Sequence, residues 1–147
     1  MRPRSIELFD RTYLGQLALG FVIGIINWSN LSATLETPGL KALGVGSNFL
    51  IGIMVLSLIF SLLIWYFIAR RASNIAKWIY VVVTGIGSFG VIGSLNNPFA
   101  PKGLLLVGNI VVVVLQLYAA WLLFKPDAVE WLETKGANGP GDPKTFE

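Results

Sequence analysis

Four stretches of this chain contain no Asp, Glu, Lys or Arg: residues 12–35, 42–69, 78–101 and 103–124. Each exceeds the roughly 20 residues that an α-helix needs to cross a bilayer core of about 30 Å. With 147 residues in all, four spans leave almost no room for a soluble domain. Charged residues make up 13% of the chain, about half the roughly 25% of soluble domains. The predicted fold is all-α, an integral membrane four-helix bundle of two helical hairpins.

The flanking residues set the boundaries. Spans are predicted at about 13–28, 47–69, 75–95 and 103–124, and residues 1–126 form one membrane domain. Residues 2–12 read as an interfacial lead-in in which Ser5 caps a turn and Glu7 suits the positive end of that turn. The first span reads as retained, because Leu31 stands where a signal-peptide cleavage after Ala33 would want a small residue. In the long connection, Thr37, Pro38 and Gly44 frame one or two helical turns on the membrane surface. Ser73 is placed to cap span three, and Pro98 and Pro101 stop it. After span four, residues 127–136 form a short interfacial helix with Asp127 and Glu130 spaced as a capping box. The Gly- and Pro-rich residues 137–147 are expected to be disordered.

The basic residues give orientation. Arg2, Arg4, Arg11, Arg70, Arg71, Lys77, Lys125, Lys135 and Lys144 fall on one side of a four-span topology, and Lys41 and Lys102 on the other. Lys and Arg in short loops mark the cytoplasmic face, so both termini are expected there. Arg70, Arg71 and Lys77 in the tight hairpin serve topology first, with contact to anionic lipid headgroups as the lesser reading.

The chemistry that the sequence leaves open is narrow. There is no Cys and no His, which excludes thiolate and imidazole chemistry and the metal sites built on them. No ionisable Asp, Glu, Lys or Arg falls within a span, and proton-coupled transport usually needs one. The carboxylates Glu7, Asp10, Asp127, Glu130 and Glu133 read as capping and solvated groups. The expectation is a non-enzymatic protein with no cofactor, no metal and no nucleic-acid partner.

Polar and small residues inside the spans are the remaining candidates. Gln16, Gly20, Gly24 and Asn27 fall within an arc of about 80° on span one. Thr84, Gly87, Ser88, Gly90 and Ser94 cover nearly half the circumference of span three, and Asn109 and Gln116 share a face of span four. Small residues admit a neighbouring helix and amides hydrogen-bond across the contact, so these stripes read first as packing seams. The span-three arc is wider than one neighbour needs and offers a face to a membrane-protein partner or a second copy of the chain. The alternative is a polar interior lined by Gln16, Asn27, Asn48, Asn109 and Gln116 that binds or conducts a neutral solute. The leading expectation is an accessory or interaction subunit of a membrane complex, and the second a small channel or carrier.

Three segments, RPRSIELFDRTYLGQLALG, LLIWYFIARRASNIAKWI and LLFKPDAVEWL, together resemble uncharacterised small four-span inner-membrane proteins of alphaproteobacteria. The resemblance covers most of the chain. It implies a bacterial inner membrane and carries over no catalytic or binding residue.

Overall fold

A computed structural model describes residues 2–35, 38–39, 46–94 and 102–135. Among these residues the helices run in order α1 (Arg4–Ile26), α2 (Trp28–Leu35), α3 (Ser47–Ala69), α4 (Asn74–Ser94), α5 (Leu104–Leu122) and α6 (Pro126–Glu133). Every element among the described residues is helical. Helices α1, α3, α4 and α5 are long and apolar enough to cross a membrane. Their outward faces carry large apolar side chains such as Leu56, Ile86, Phe89 and Val114, as lipid requires.

Spans two, three and four lie where the sequence predicts them, within two residues at each end. Span one differs. Its helix begins at Arg4, so residues 4–12 are its first turns and not a separate interfacial segment. Ser5 does not cap it; the N-cap is Pro3, which makes no side-chain cap. Helix α2 was not expected. Asn27 ends α1 with a non-helical backbone, and its Oδ1 accepts from Asn30 Nδ2 at 2.9 Å as α2 starts. The helical turns expected over 37–44 lie, apart from Pro38 and Gly39, outside the described residues, as do the 95–101 turn and the 137–147 tail.

The four long helices form a ring. Helix α1 packs against α3 on one side and α5 on the other, and α4 closes the ring between α3 and α5. The broadest contact joins the first and last spans, α1 and α5, rather than two helices of one hairpin. There Gly108 of α5 meets Ile23, whose Cδ1 lies 2.8 Å from the position a Cβ would take.

Large buried side chains gather at one end. Ile6, Phe9, Ile68, Leu122 and Leu123 are fully buried there. Helix α6 completes this end, with Ala128, Trp131 and Leu132 buried and the helix lying against α1. Its apolar side is therefore packed on protein at this end of the bundle. The expected capping box is absent: Lys125 is the N-cap and Pro126 takes the first helical position. Asp127 instead accepts a hydrogen bond from the backbone N–H of Ser5 at 3.2 Å, which satisfies a free donor of the first turn of α1. Partial burial alone would raise the Asp127 carboxyl. Hydrogen bonds from the Ser5 side chain and backbone, and from the Ala128 and Asp127 N–H groups, outweigh it and hold the group below its ordinary value.

The same end contains the basic hairpin between α3 and α4. Ala72 turns the chain with φ +47°, and the Ser73 N–H then reaches back to Phe67 O at 3.0 Å. Ser73 caps α4 as expected, its Oγ accepting from Ala76 N–H at 3.3 Å. Trp65 donates its indole N–H to the Asp10 carboxylate, which also pairs with Arg2 at 3.4 Å. Arg70 lies over the Trp65 ring at 5.5 Å, and Arg71 is exposed. Lys77 departs from its expected place at the surface. It is 5% exposed, with its ammonium 4.6 Å from the Phe124 ring centre and 5.6 Å from that of Trp78. The reason is helical phase: Lys77 is one residue from Ala76 and three from Tyr80, both core positions, so it turns toward the end of α5.

Candidate binding cavity

A cavity of about 390 Å³ lies inside the ring and takes wall residues from all four long helices. This falls within the range of roughly 300–1,000 Å³ usual for small-molecule sites. Helix α1 contributes Tyr13, Gln16, Leu17, Gly20 and Phe21. Helix α3 contributes mainly Ile53, Met54, Ser57, Leu58 and Ser61, and α4 contributes Tyr80, Val83, Thr84 and Gly87. Val112 and Gln116 come from α5. None of the lining residues is charged.

One end of the cavity is shut by aromatics. The rings of Phe9, Tyr13 and Tyr80 are in mutual contact, with centroids 5.2 to 5.9 Å apart. Beneath them lies the packed core of the basic end. Toward the opposite end there is no such closure among the described residues. No side chain is buried on α1 beyond Gln16, on α3 before Ile64, or on α5 before Ala119. The interior is therefore a blind cavity, sealed toward the basic end.

The polar groups sit at the sealed end. Tyr13 donates its hydroxyl to Ser61 O at 2.9 Å, and Tyr80 donates to Gln116 O at 3.0 Å. Tyr80 has one proton and has given it to Gln116, so its oxygen accepts from Gln16 Nε2 at 3.2 Å. This chain fixes which way the amide points. Gln16 is 5% exposed, and its Oε1 is the one buried side-chain oxygen or nitrogen among the described residues without a hydrogen-bond partner. An unsatisfied buried acceptor costs about 1–3 kcal/mol.

The residues proposed from sequence separate into several groups. Gln16, Gly20, Thr84, Gly87 and Gln116 converge on the cavity. Asn27 ends α1, and Asn109 bonds within its own helix, from Nδ2 to Leu105 O at 2.8 Å. Asn48 is exposed at the start of α3. Only two of the five expected amides thus meet in one space. Ser88 also bonds within its helix, to Thr84 O at 2.8 Å. Gly20 holds no helix close, since a Cβ there would touch nothing within 4 Å; Gly24 has ordinary contact with Met54 Cε at 3.4 Å. Gly90 is exposed with open space above it, and the Ser94 side chain lies outside the described ones.

Tyr13 and Tyr80 were missed as site residues. Tyr13 reads as an interfacial anchor, and Tyr80 is hidden in the run WIYVVV. A signal was available: Tyr80 stands four, seven and eight residues before Thr84, Gly87 and Ser88, on the same helical face. The arrangement can hold a molecule by hydrogen bonds and apolar contact, and its wall offers no carboxylate, ammonium or guanidinium for proton transfer. No known protein family, curated protein or solved structure matches the chain.

Proposed function

We propose that this is a non-enzymatic membrane protein that binds a small neutral molecule inside its helix ring. One observation carries the reading: the buried, unpartnered Oε1 of Gln16, a residue that lines an uncharged cavity. The blind end favours binding over conduction, because a channel needs a path through both ends. The protein belongs in a bacterial inner membrane with its basic end toward the cytoplasm. Support for that orientation comes from Arg2, Arg4, Arg70, Arg71 and Lys125 at the helix ends there.

The test uses the purified full chain in phosphatidylcholine nanodiscs. Uptake of naphthalene and 2-naphthol is measured against empty nanodiscs. Gly87 lines the cavity, with open space where a Cβ would go, so Gly87→Leu should fill it. Excess uptake that Gly87→Leu removes supports the reading, and no excess uptake by the wild-type chain overturns it.

A second reading, an accessory subunit of a membrane complex, is favoured by the outward face of α4. Gly90 and Gly93 are exposed there with nothing near their Cβ positions, which would let another helix approach closely. Purification in mild detergent with mass spectrometry of the associated proteins tests it. A stable partner supports it, and a chain recovered alone as a monomer argues against it.

A further inference from the structure

We infer that the molecule taken by the cavity is a hydroxyl-bearing, otherwise apolar compound whose O–H donates to Gln16 Oε1. The inference rests on the cavity being a binding site and adds the chemistry of its occupant. Three features combine. The Gln16 amide nitrogen has a partner, since one of its N–H groups donates to Tyr80, whose own proton goes to Gln116 O. The atom of Gln16 left with no partner at all is Oε1, an acceptor, so the occupant that satisfies it must bring a donor. The wall has no charged residue, so an ionised occupant would lose its hydration without a counter-charge. Most of the remaining wall is apolar, with Leu17, Phe21, Ile53, Met54 and Val83 lining it alongside the hydroxyl residues Ser57, Ser61 and Thr84.

The geometry also orders the occupant. Its hydroxyl sits at the sealed end beside Tyr80, and its apolar part extends toward the half of the ring where α1, α3 and α5 bury no described side chain. Such a compound partitions into lipid before it binds, and the bilayer then serves as its reservoir. A compound that only accepts hydrogen bonds can offer Oε1 no proton and leaves it unpartnered. It is the wrong partner for this oxygen even when its size is right.

The experiment compares three compounds of one skeleton: 2-naphthol, 2-methoxynaphthalene and naphthalene. Binding to the full chain in phosphatidylcholine nanodiscs is measured by equilibrium dialysis, corrected for empty nanodiscs. The expected result is that 2-naphthol binds about tenfold or more tightly than the ether. Gln16→Leu should abolish the preference for 2-naphthol over the ether, and naphthalene that is still bound shows that the variant keeps its cavity. Should Gln16→Leu fail to fold, Tyr80→Phe serves instead. It frees the amide N–H, so the ether should gain affinity and the preference for the hydroxyl should narrow. Equal binding of all three compounds overturns the inference and leaves the binding cavity standing. Binding of none of them by the wild-type chain overturns both.

Discussion

The backbone N–H of Ser5 donates to the carboxylate of Asp127 at 3.2 Å, across 122 residues of sequence. The bond ties the first turn of α1 to the first turn of α6, and one carboxylate serves both helix starts. Asp127→Ala should cost about 1 kcal/mol, the usual loss on removing an N-terminal cap. Asp127→Asn should recover part of it. Thermal unfolding in detergent followed by circular dichroism checks both.

The same bond predicts a pH dependence. The Asp127 carboxyl is held below its ordinary value in the folded chain. A depressed folded value stabilises above the unfolded value, roughly pH 4. That contribution is lost as the pH falls through the lower folded value. The melting temperature should therefore fall more steeply below about pH 4 in the wild-type chain than in Asp127→Asn, which has nothing to titrate there. Parallel profiles would show that Asp127 contributes nothing to acid sensitivity.

Trp65 and Asp10 provide a second cross-link, between α3 and α1. Trp65→Phe keeps an aromatic ring for Arg70 to cover but removes the indole donor. A hydrogen bond to a charged group contributes about 1.5–3 kcal/mol. A double-mutant cycle with Asp10→Ala should show coupling of at least about 1 kcal/mol. Additive effects would mean the bond contributes nothing to stability.

Glycine substitutions distinguish the close contact from the open ones. Gly108→Val puts atoms where Ile23 Cδ1 already lies, 2.8 Å from the Cβ position. Overpacking of this kind costs about 1–3 kcal/mol. Gly20→Ala meets open space inside a helix and should not lower the melting temperature. The reverse order would restore the pair Gly20 and Gly24 as the tight seam.

Lys77 separates stability from topology. Its ammonium rests on Phe124 and Trp78, and cation–π contacts of this kind contribute about 0.5–2 kcal/mol. Phe124→Leu should lower the melting temperature. Replacing Arg70, Arg71 and Lys77 together should instead alter insertion, read by green fluorescent protein and alkaline phosphatase fusions to the C-terminus. Unchanged fusion signals would remove the hairpin from the control of orientation.

The long helices were legible because the bilayer leaves a chain few choices. Twenty residues without charge must become a span, and Ser73 begins α4 where a cap should. What was not legible depends on helices meeting. No local pattern shows that α1 packs most broadly on α5, so Gly108 could not be preferred to Gly20 as the tight glycine. The phase of α4 turns Lys77 inward only because Phe124 waits there. Likewise Asp127 and Glu130 have the spacing of a capping box, yet Pro126 and the approach of Ser5 give Asp127 a different donor. In the cavity, Gln16 and Gln116 were in view from sequence. Tyr80, which orients Gln16, was hidden because an aromatic in an apolar run carries no mark of its hydrogen bonds.

The core of the basic end has a consequence for how the chain is made. Ile6 and Phe9 leave the ribosome ahead of the rest of the four spans, while Ala128, Trp131 and Leu132 follow only after them. The first span must therefore enter the membrane with part of its packing surface uncovered, and Ser5 waits for Asp127 until α6 emerges. Synthesis runs from one side of this core around the ring to the other. The joint between α1 and α6 closes only after the spans between them are made, and with it the floor on which the cavity rests.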